Sequence, residues 1–321
     1  MKVVVTRKIP RLGIDMLEDA GFEVVGNESE KLLSREQMKE FVKGADAILC
    51  LLLDKIDAEI MDAAGKQLKI IANYGVGFEN IDLAAARQRN ILISNTPSLL
   101  SGQAVAEFTV GLIFALLKRI VEGDEFARKG NFGGWKPEIF LGQNLTGKTL
   151  GIIGLGGIGC LVAKMASAFG LRVVYYKRNR DGEMEKKYRL EYLSLENLLR
   201  EADIVSVHVP LTKESRHLIG DREIQLMKDG AFLINTSRGG IVDEAALVES
   251  LKKGKLAGAA IDTHEYEPEV NPELCGLPNV ILTPHIASSV KEVRDDMARL
   301  AALNIIEALN NRQPPNLVGD K

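Results

Sequence analysis

The chain has 321 residues, 46% of them hydrophobic and 26% charged, which is long enough for two packed domains and too apolar for disorder. With 41 Lys plus Arg against 44 Asp plus Glu the formal charge is -3, and no basic block offers a footprint for nucleic acid. The longest early apolar run, residues 47–53, is far short of a bilayer span, and MKVVVTRKIP turns basic before a signal-peptide core could form, so a cytoplasmic protein with neither a nucleic-acid nor a membrane partner is expected.

Short apolar runs alternate with helical patterns from the start: KVVV, FEVV, AILCLLL, LKIIA and ILIS, then LGIIG, RVVYY, DIVSVHV, AFLIN, LAGAAID and NVILT. That rhythm indicates parallel α/β layers, whose ligand sites lie just beyond the carboxyl ends of strands. Gly75-Val76-Gly77 follows one such strand, but position 80 is Asn, so this is not a nucleotide fingerprint. Asp82 precedes a helical run as an N-cap, as Asp243 does later. The helix over about 103–120 is apolar around most of its girth, through Val105, Phe108, Val110, Leu112, Ile113, Leu116 and Leu117. A helix greasy on several sides predicts packing against a second copy of the chain.

The fingerprint comes in LGIIGLGGIG, where Gly154-Leu155-Gly156-Gly157-Ile158-Gly159 follows a strand and opens the helical CLVAKMASAF, closed by Gly170. Gly154 allows the tight turn, Gly156 lets backbone approach a pyrophosphate, and Gly159 lets helix and strand pack closely. The next strand ends in YYKRNR. An NAD site places an acid about there for the ribose hydroxyls; this chain has Lys177 and Arg178, followed by Asn179, which favour the 2′-phosphate of NADP(H). The strand DIVSVHV then brings Val209 and Pro210 to the cofactor side; His208 is expected to pack or hydrogen-bond there, and His217 to lie at the surface.

Three further strand tips carry chemistry. AFLIN ends in Thr236-Ser237-Arg238, LAGAAI ends in Asp262 and runs on to Glu267, and NVILT leads to His285-Ile286-Ala287. A cation, a carboxylate and an imidazole at one sheet edge suit reduction of a 2-oxo acid. Arg238 would grip the carboxylate and polarise the ketone, His285 would protonate the developing alkoxide, and Glu267 would orient His285. The reductive rate is then expected to fall as pH rises and His285 loses its proton. His264 is read as a packing residue. In the last helix Val290, Val293, Met297 and Leu300 form one amphipathic face. Cys50, Cys160 and Cys275 have no paired spacing for a metal or a disulfide framework and are expected to be buried, inert thiols.

Together INTSRGGIVDE, IDTHEYEPE, LTPHIAS and the glycine loop resemble the D-isomer-specific 2-hydroxyacid dehydrogenase family over nearly the whole chain. The resemblance implies two Rossmann-like, doubly wound parallel-sheet domains: a flavodoxin-like outer one from 1–98 plus 287–321 and a dinucleotide-binding, dimer-forming inner one from 99–286. It assigns catalysis to Arg238, Glu267 and His285, nicotinamide contacts to Thr236, Asp262, His285 and Ala287 with Ser237 and Arg238 alongside, and substrate binding to the amides of Val76 and Gly77. Within the family, YYKRNR and GWKPEIFLG are similar to NADPH-preferring glyoxylate and hydroxypyruvate reductases, which implies a homodimer with Trp135 lining the partner's site. NAD(H) is the alternative cofactor, and 2-ketogluconate reductase or another D-2-hydroxyacid dehydrogenase the alternative enzyme. Of another class are the cofactor-sensing corepressors that keep the same trio. Glu267 stands where formate dehydrogenases carry Gln, and His264 where the family usually has an aromatic.

Overall fold

The computed structural model describes residues 1–29 and 31–319. The chain divides into two compact units, Met1–Ser101 with Ser289–Lys321, and Gly102–Ser288. The joins thus fall at 101/102 and 288/289 instead of the expected 98/99 and 286/287. At the second join the Ala287 N–H donates to the buried Asp262 (2.9 Å), which keeps Ile286 and Ala287 with the second unit.

The first unit is a five-stranded parallel sheet of β1 (Lys2–Val5), β2 (Glu23–Gly26), β3 (Ala47–Leu51), β4 (Ile70–Tyr74) and β5 (Leu92–Ser94), in the order β2-β1-β3-β4-β5. This is the flavodoxin order. Helices cover both faces, so the central strands are buried without alternation: Ala47 to Cys50 and Ile70 to Tyr74 are buried throughout, Asn73 being the polar residue among them. Asp82 caps its helix through the Ala85 N–H. In the last helix, Lys291–Leu309, the buried stripe is not the one expected. Val290 is an exposed N-cap and Leu300 is half-buried, while Val293, Met297, Ala298, Ala301, Ala302 and Ile305 are buried. Small residues set this contact, because a Cβ on Gly13 of the neighbouring helix would come 2.9 Å from the Ala298 carbonyl oxygen.

The second unit is a seven-stranded parallel sheet of β6 (Thr149–Ile153), β7 (Arg172–Tyr176), β8 (Glu191–Tyr192), β9 (Ile204–Val207), β10 (Ala231–Asn235), β11 (Leu256–Ile261) and β12 (Val280–Leu282), in the order β12-β11-β10-β9-β6-β7-β8. That is the dinucleotide-binding order with one strand added at the edge, and the order reverses between β6 and β9. A crevice for a ligand therefore opens beyond the carboxyl ends of those two strands.

The apolar helix runs from Leu99 to Leu117, and a left-handed Arg119 (φ +54) separates it from a second helix, Ile120–Arg128. Its length and composition would suffice to cross a membrane. Yet Val110, Leu112, Ile113, Leu116 and Leu117 enter the core of the second unit with Leu150, Ile152 and Phe232, and Val105 is buried too. The core of the second unit thus takes one side of the helix, while Phe108, Phe114 and Ala115 are half-buried and Leu99 and Leu100 at its start are exposed. Further exposed apolar side chains follow at Ile120, Val121, Phe132, Trp135 and Leu141. The thiols also differ from expectation: Cys50 is buried, Cys160 is half-buried and Cys275 is exposed, because the last falls at the end of a four-residue helix.

Candidate active site

Beyond β6 the chain turns through Gly154 at φ +101, where a Cβ would lie 2.4 Å from the His208 carbonyl oxygen. A Cβ on Gly159 would come 2.2 Å from the Gly154 oxygen, so helix and strand can meet only over glycine. At Gly156 and Gly157 a Cβ would meet nothing within 4 Å, and the N-terminus of the helix Gly157–Ala168 opens onto free space. This is the arrangement that receives an anion. The cavity beside it measures about 420 Å³. Gly154, Leu155, Gly156, Lys177, Arg178, Asn179, Val209 and Pro210 line it, whereas Gly157, Ile158 and Gly159 belong to the helix behind. Tyr176, Thr212, Glu214, Ser215 and Leu218 also line it and were missed. The rule that sites follow strand ends points to Thr212 and Glu214, which come a few residues after β9.

The two cations after β7 are not equivalent. The Lys177 ammonium is engaged by Asp181 at 3.1 Å, and that carboxylate also caps the helix Gly182–Tyr188. Arg178 is exposed and hydrogen-bonds to no described residue. His208 accepts or donates at Ser206 Oγ (2.9 Å), and burial of its ring pushes its pKa down to about 4. The imidazole is neutral near pH 7, so it is a hydrogen-bonding group, as read from the sequence. The unfolded chain takes up this proton near pH 6.5 and the folded one near 4, so the unfolded state binds more protons between those values. Stability should therefore fall as pH drops from about 6.5 to about 4, by up to ~3 kcal/mol from this group. Denaturant titrations across that window should show a flatter profile for His208→Gln; an unchanged slope would assign the acid sensitivity elsewhere.

The catalytic candidates meet through two close loops. Asn235, fully buried at the end of β10, accepts from the Ser237 N–H (3.1 Å) and Oγ (2.8 Å) and donates to the Arg238 carbonyl (3.0 Å), which fixes the turn bearing Arg238. At Gly239 a Cβ would fall 1.9 Å from the His264 carbonyl oxygen, so glycine lets this turn press against the segment that carries Glu267. Arg238, Gly239, His264, Tyr266 and Glu267 line one cavity of about 470 Å³. His285 joins through Nδ1, 3.0 Å and 3.2 Å from the two Glu267 oxygens. A carboxylate accepts only, so Nδ1 carries hydrogen and Nε2 is left for chemistry. Burial opposes ionisation of Glu267, but the His285 hydrogen bond and charge, with the His264 N–H, outweigh it and hold the carboxyl below its usual range.

His285 occupies the left-handed region at φ +55, uncommon for a side chain of this size. Asp262, with 0% exposure, fixes the turn: it accepts from Thr283 Oγ1 (2.6 Å), Ile286 N–H (2.8 Å) and Ala287 N–H (2.9 Å), while its carbonyl accepts from the His285 N–H (2.8 Å). Both carboxylate oxygens are thus occupied. Thr236 shares its hydroxyl with Thr109 at 2.8 Å. His264 is buried with Nε2 on the Thr283 carbonyl (3.1 Å), a packing role as expected. His217 is exposed as expected, but it is also bonded through Nε2 to the buried Glu265 at 2.6 Å. Glu265 and Glu244 exchange backbone bonds, each carboxylate accepting from the other's N–H, and Asp243 caps the helix that Glu244 begins. No motif announces this brace.

In the first unit the loop after β4 is pinned from behind. Thr96 N–H holds the Gly75 carbonyl (2.9 Å), Asn95 Nδ2 the Val76 carbonyl (2.7 Å) and Asn73 Nδ2 the Gly77 carbonyl (2.6 Å). With three successive carbonyls engaged, the N–H groups of Val76 and Gly77 make no bond among the described residues. Such successive amides suit a carboxylate.

Comparison with known proteins agrees in extent. The family model for the D-isomer specific 2-hydroxyacid dehydrogenase NAD binding domain matches residues 110–287. A glyoxylate reductase of Thermococcus litoralis is 47% identical over 321 residues, covering 99% of this chain and 96% of its own. The solved TT0316 protein of Thermus thermophilus is 43% identical, covers 99% of this chain and 100% of its own, and superposes with a TM-score of 0.93. An acyclic imino acid reductase solved with NADPH and D-Arg is 30% identical, with coverage of 99% and 100% and a TM-score of 0.83.

Proposed function

Because the chain belongs to the D-isomer specific 2-hydroxyacid dehydrogenase family, and is an NAD(P)-dependent oxidoreductase, we propose that it reduces a small 2-oxo acid, glyoxylate or hydroxypyruvate, with NADPH. The observation that carries this reading is the His285 Nδ1 bond to Glu267 in the segment that lines a cavity with Arg238. The reduced dinucleotide, when bound, supplies the hydride. Arg238 holds the substrate carboxylate and draws electron density from the ketone oxygen, and His285 delivers the Nε2 proton to that oxygen as it gains charge. Glu267 accepts from Nδ1–H and so orients the ring with Nε2 toward the substrate. The amides of Val76 and Gly77 are carboxylate donors, and Thr236, Asp262 and Ala287 lie at the nicotinamide end.

The preference for NADPH rests on Arg178. The glyoxylate reductase of Thermococcus litoralis supports the substrate class, and the NADPH complex of the imino acid reductase supports the cofactor. The protein works as a homodimer in the cytoplasm, its exposed apolar segment with Ile120, Phe132, Trp135 and Leu141 being covered by the second copy. A panel of 2-oxo acids assayed with NADPH and NADH tests the reading. Glyoxylate and hydroxypyruvate should outpace bulkier acids such as 2-ketogluconate, and absence of turnover with any of them would favour a cofactor-sensing role. Arg178→Ala should lower kcat/KM for NADPH ~10- to 100-fold more than for NADH, the range expected for a charge-assisted phosphate contact. Equal losses would remove the 2′-phosphate assignment.

A further inference from the structure

The cavity beside the glycine loop contains an acid as well as a cation. Arg178 follows β7 and Glu214 follows β9, and these strands flank β6 on its two sides. Both residues line the same cavity as Gly154 and Gly156. Glu214 stands on a fixed turn. The Thr212 N–H donates to Ser215 Oγ (2.7 Å), the Ser215 N–H donates back to Thr212 Oγ1 (3.2 Å), and Ser215 Oγ donates to the Pro210 carbonyl (2.7 Å). A hydrogen bond from Thr212, its own N–H and the charge of Arg178 hold the Glu214 carboxyl below the usual range, so it is ionised at neutral pH.

We propose that Glu214 is a specificity-determining residue that weakens discrimination for NADPH over NADH by placing a fixed negative charge in the cavity that Arg178 serves. The inference rests on the reading that Arg178 receives the 2′-phosphate. A phosphate there gains from the guanidinium and is repelled by the carboxylate, whereas a ribose hydroxyl can donate to that carboxylate. One cavity thus carries a determinant for each form of the cofactor, and NADH remains usable. The groups are exposed, so the repulsion is modest and salt-dependent.

The test is binding of adenosine 2′,5′-bisphosphate and of AMP to the full-length protein by calorimetry, with the Glu214→Gln and Arg178→Ala variants. Glu214→Gln should improve the affinity ratio of bisphosphate to AMP about threefold at low salt, and the gain should shrink as salt is raised. The kcat/KM ratio of NADPH to NADH should move the same way. An unchanged ratio, or an equal gain for both ligands, overturns the role of Glu214. Arg178→Ala separates the two ideas: equal loss for bisphosphate and AMP would remove the phosphate reading itself, while selective loss beside a silent Glu214→Gln removes only the present one.

Discussion

Replacing His285 with Gln is expected to lower kcat for 2-oxo acid reduction about 10²- to 10⁴-fold, the range for losing a positioned proton donor. Gln can keep a hydrogen bond to Glu267 but has no proton to give at neutral pH. On the proposed mechanism the donor acts after the cofactor is bound, so direct binding of NADPH should change little and the loss should fall on kcat with both glyoxylate and hydroxypyruvate. Steady-state rates with each acid, and fluorescence titration of the cofactor, would decide it. A variant within about tenfold of wild type would dismiss His285 as the donor.

The parts legible in the sequence are those fixed by local rules. Alternating apolar runs set two parallel sheets, because a strand covered on both faces is mostly apolar without alternation, as Ala47 to Cys50 are. Gly154 and Gly159 were readable because no Cβ fits there. Arg238, Glu267 and His285 stood out by following strand ends. What stayed hidden depends on partners distant in sequence. Which side of the helix at Leu112 and Leu116 enters the chain's own core is set by β6 and β10, far along the sequence. Lys177 and Arg178 read as equals until Asp181 engaged one of them. Glu214 carried no motif, and only the return of β9 beside β6 brings it to the cavity of Arg178. Exposure of Cys275 likewise follows from a short helix that composition does not announce.

Asp262→Asn is expected to cost about 2–4 kcal/mol of folding stability, although the two side chains have the same shape. In the native chain one carboxylate oxygen accepts from Thr283 Oγ1 and the Ile286 N–H, and the other from the Ala287 N–H. An amide nitrogen at either place faces a donor with a donor, so one buried N–H loses its acceptor and is pushed away. The strained backbone of His285, at φ +55, is held by this same turn through the bond from its N–H to the Asp262 carbonyl (2.8 Å). A relaxed turn would swing Nδ1 off Glu267, and kcat should fall tenfold or more, an effect on the order of that expected from a displacement of about 1 Å. Two roles for Asp262 can then be told apart. If it braces the His285 turn, melting temperature and kcat fall together while the Kd for NADPH is nearly kept. A carboxylate acting chiefly by touching nicotinamide would instead weaken cofactor binding at an unchanged melting temperature, and that result would refute the brace.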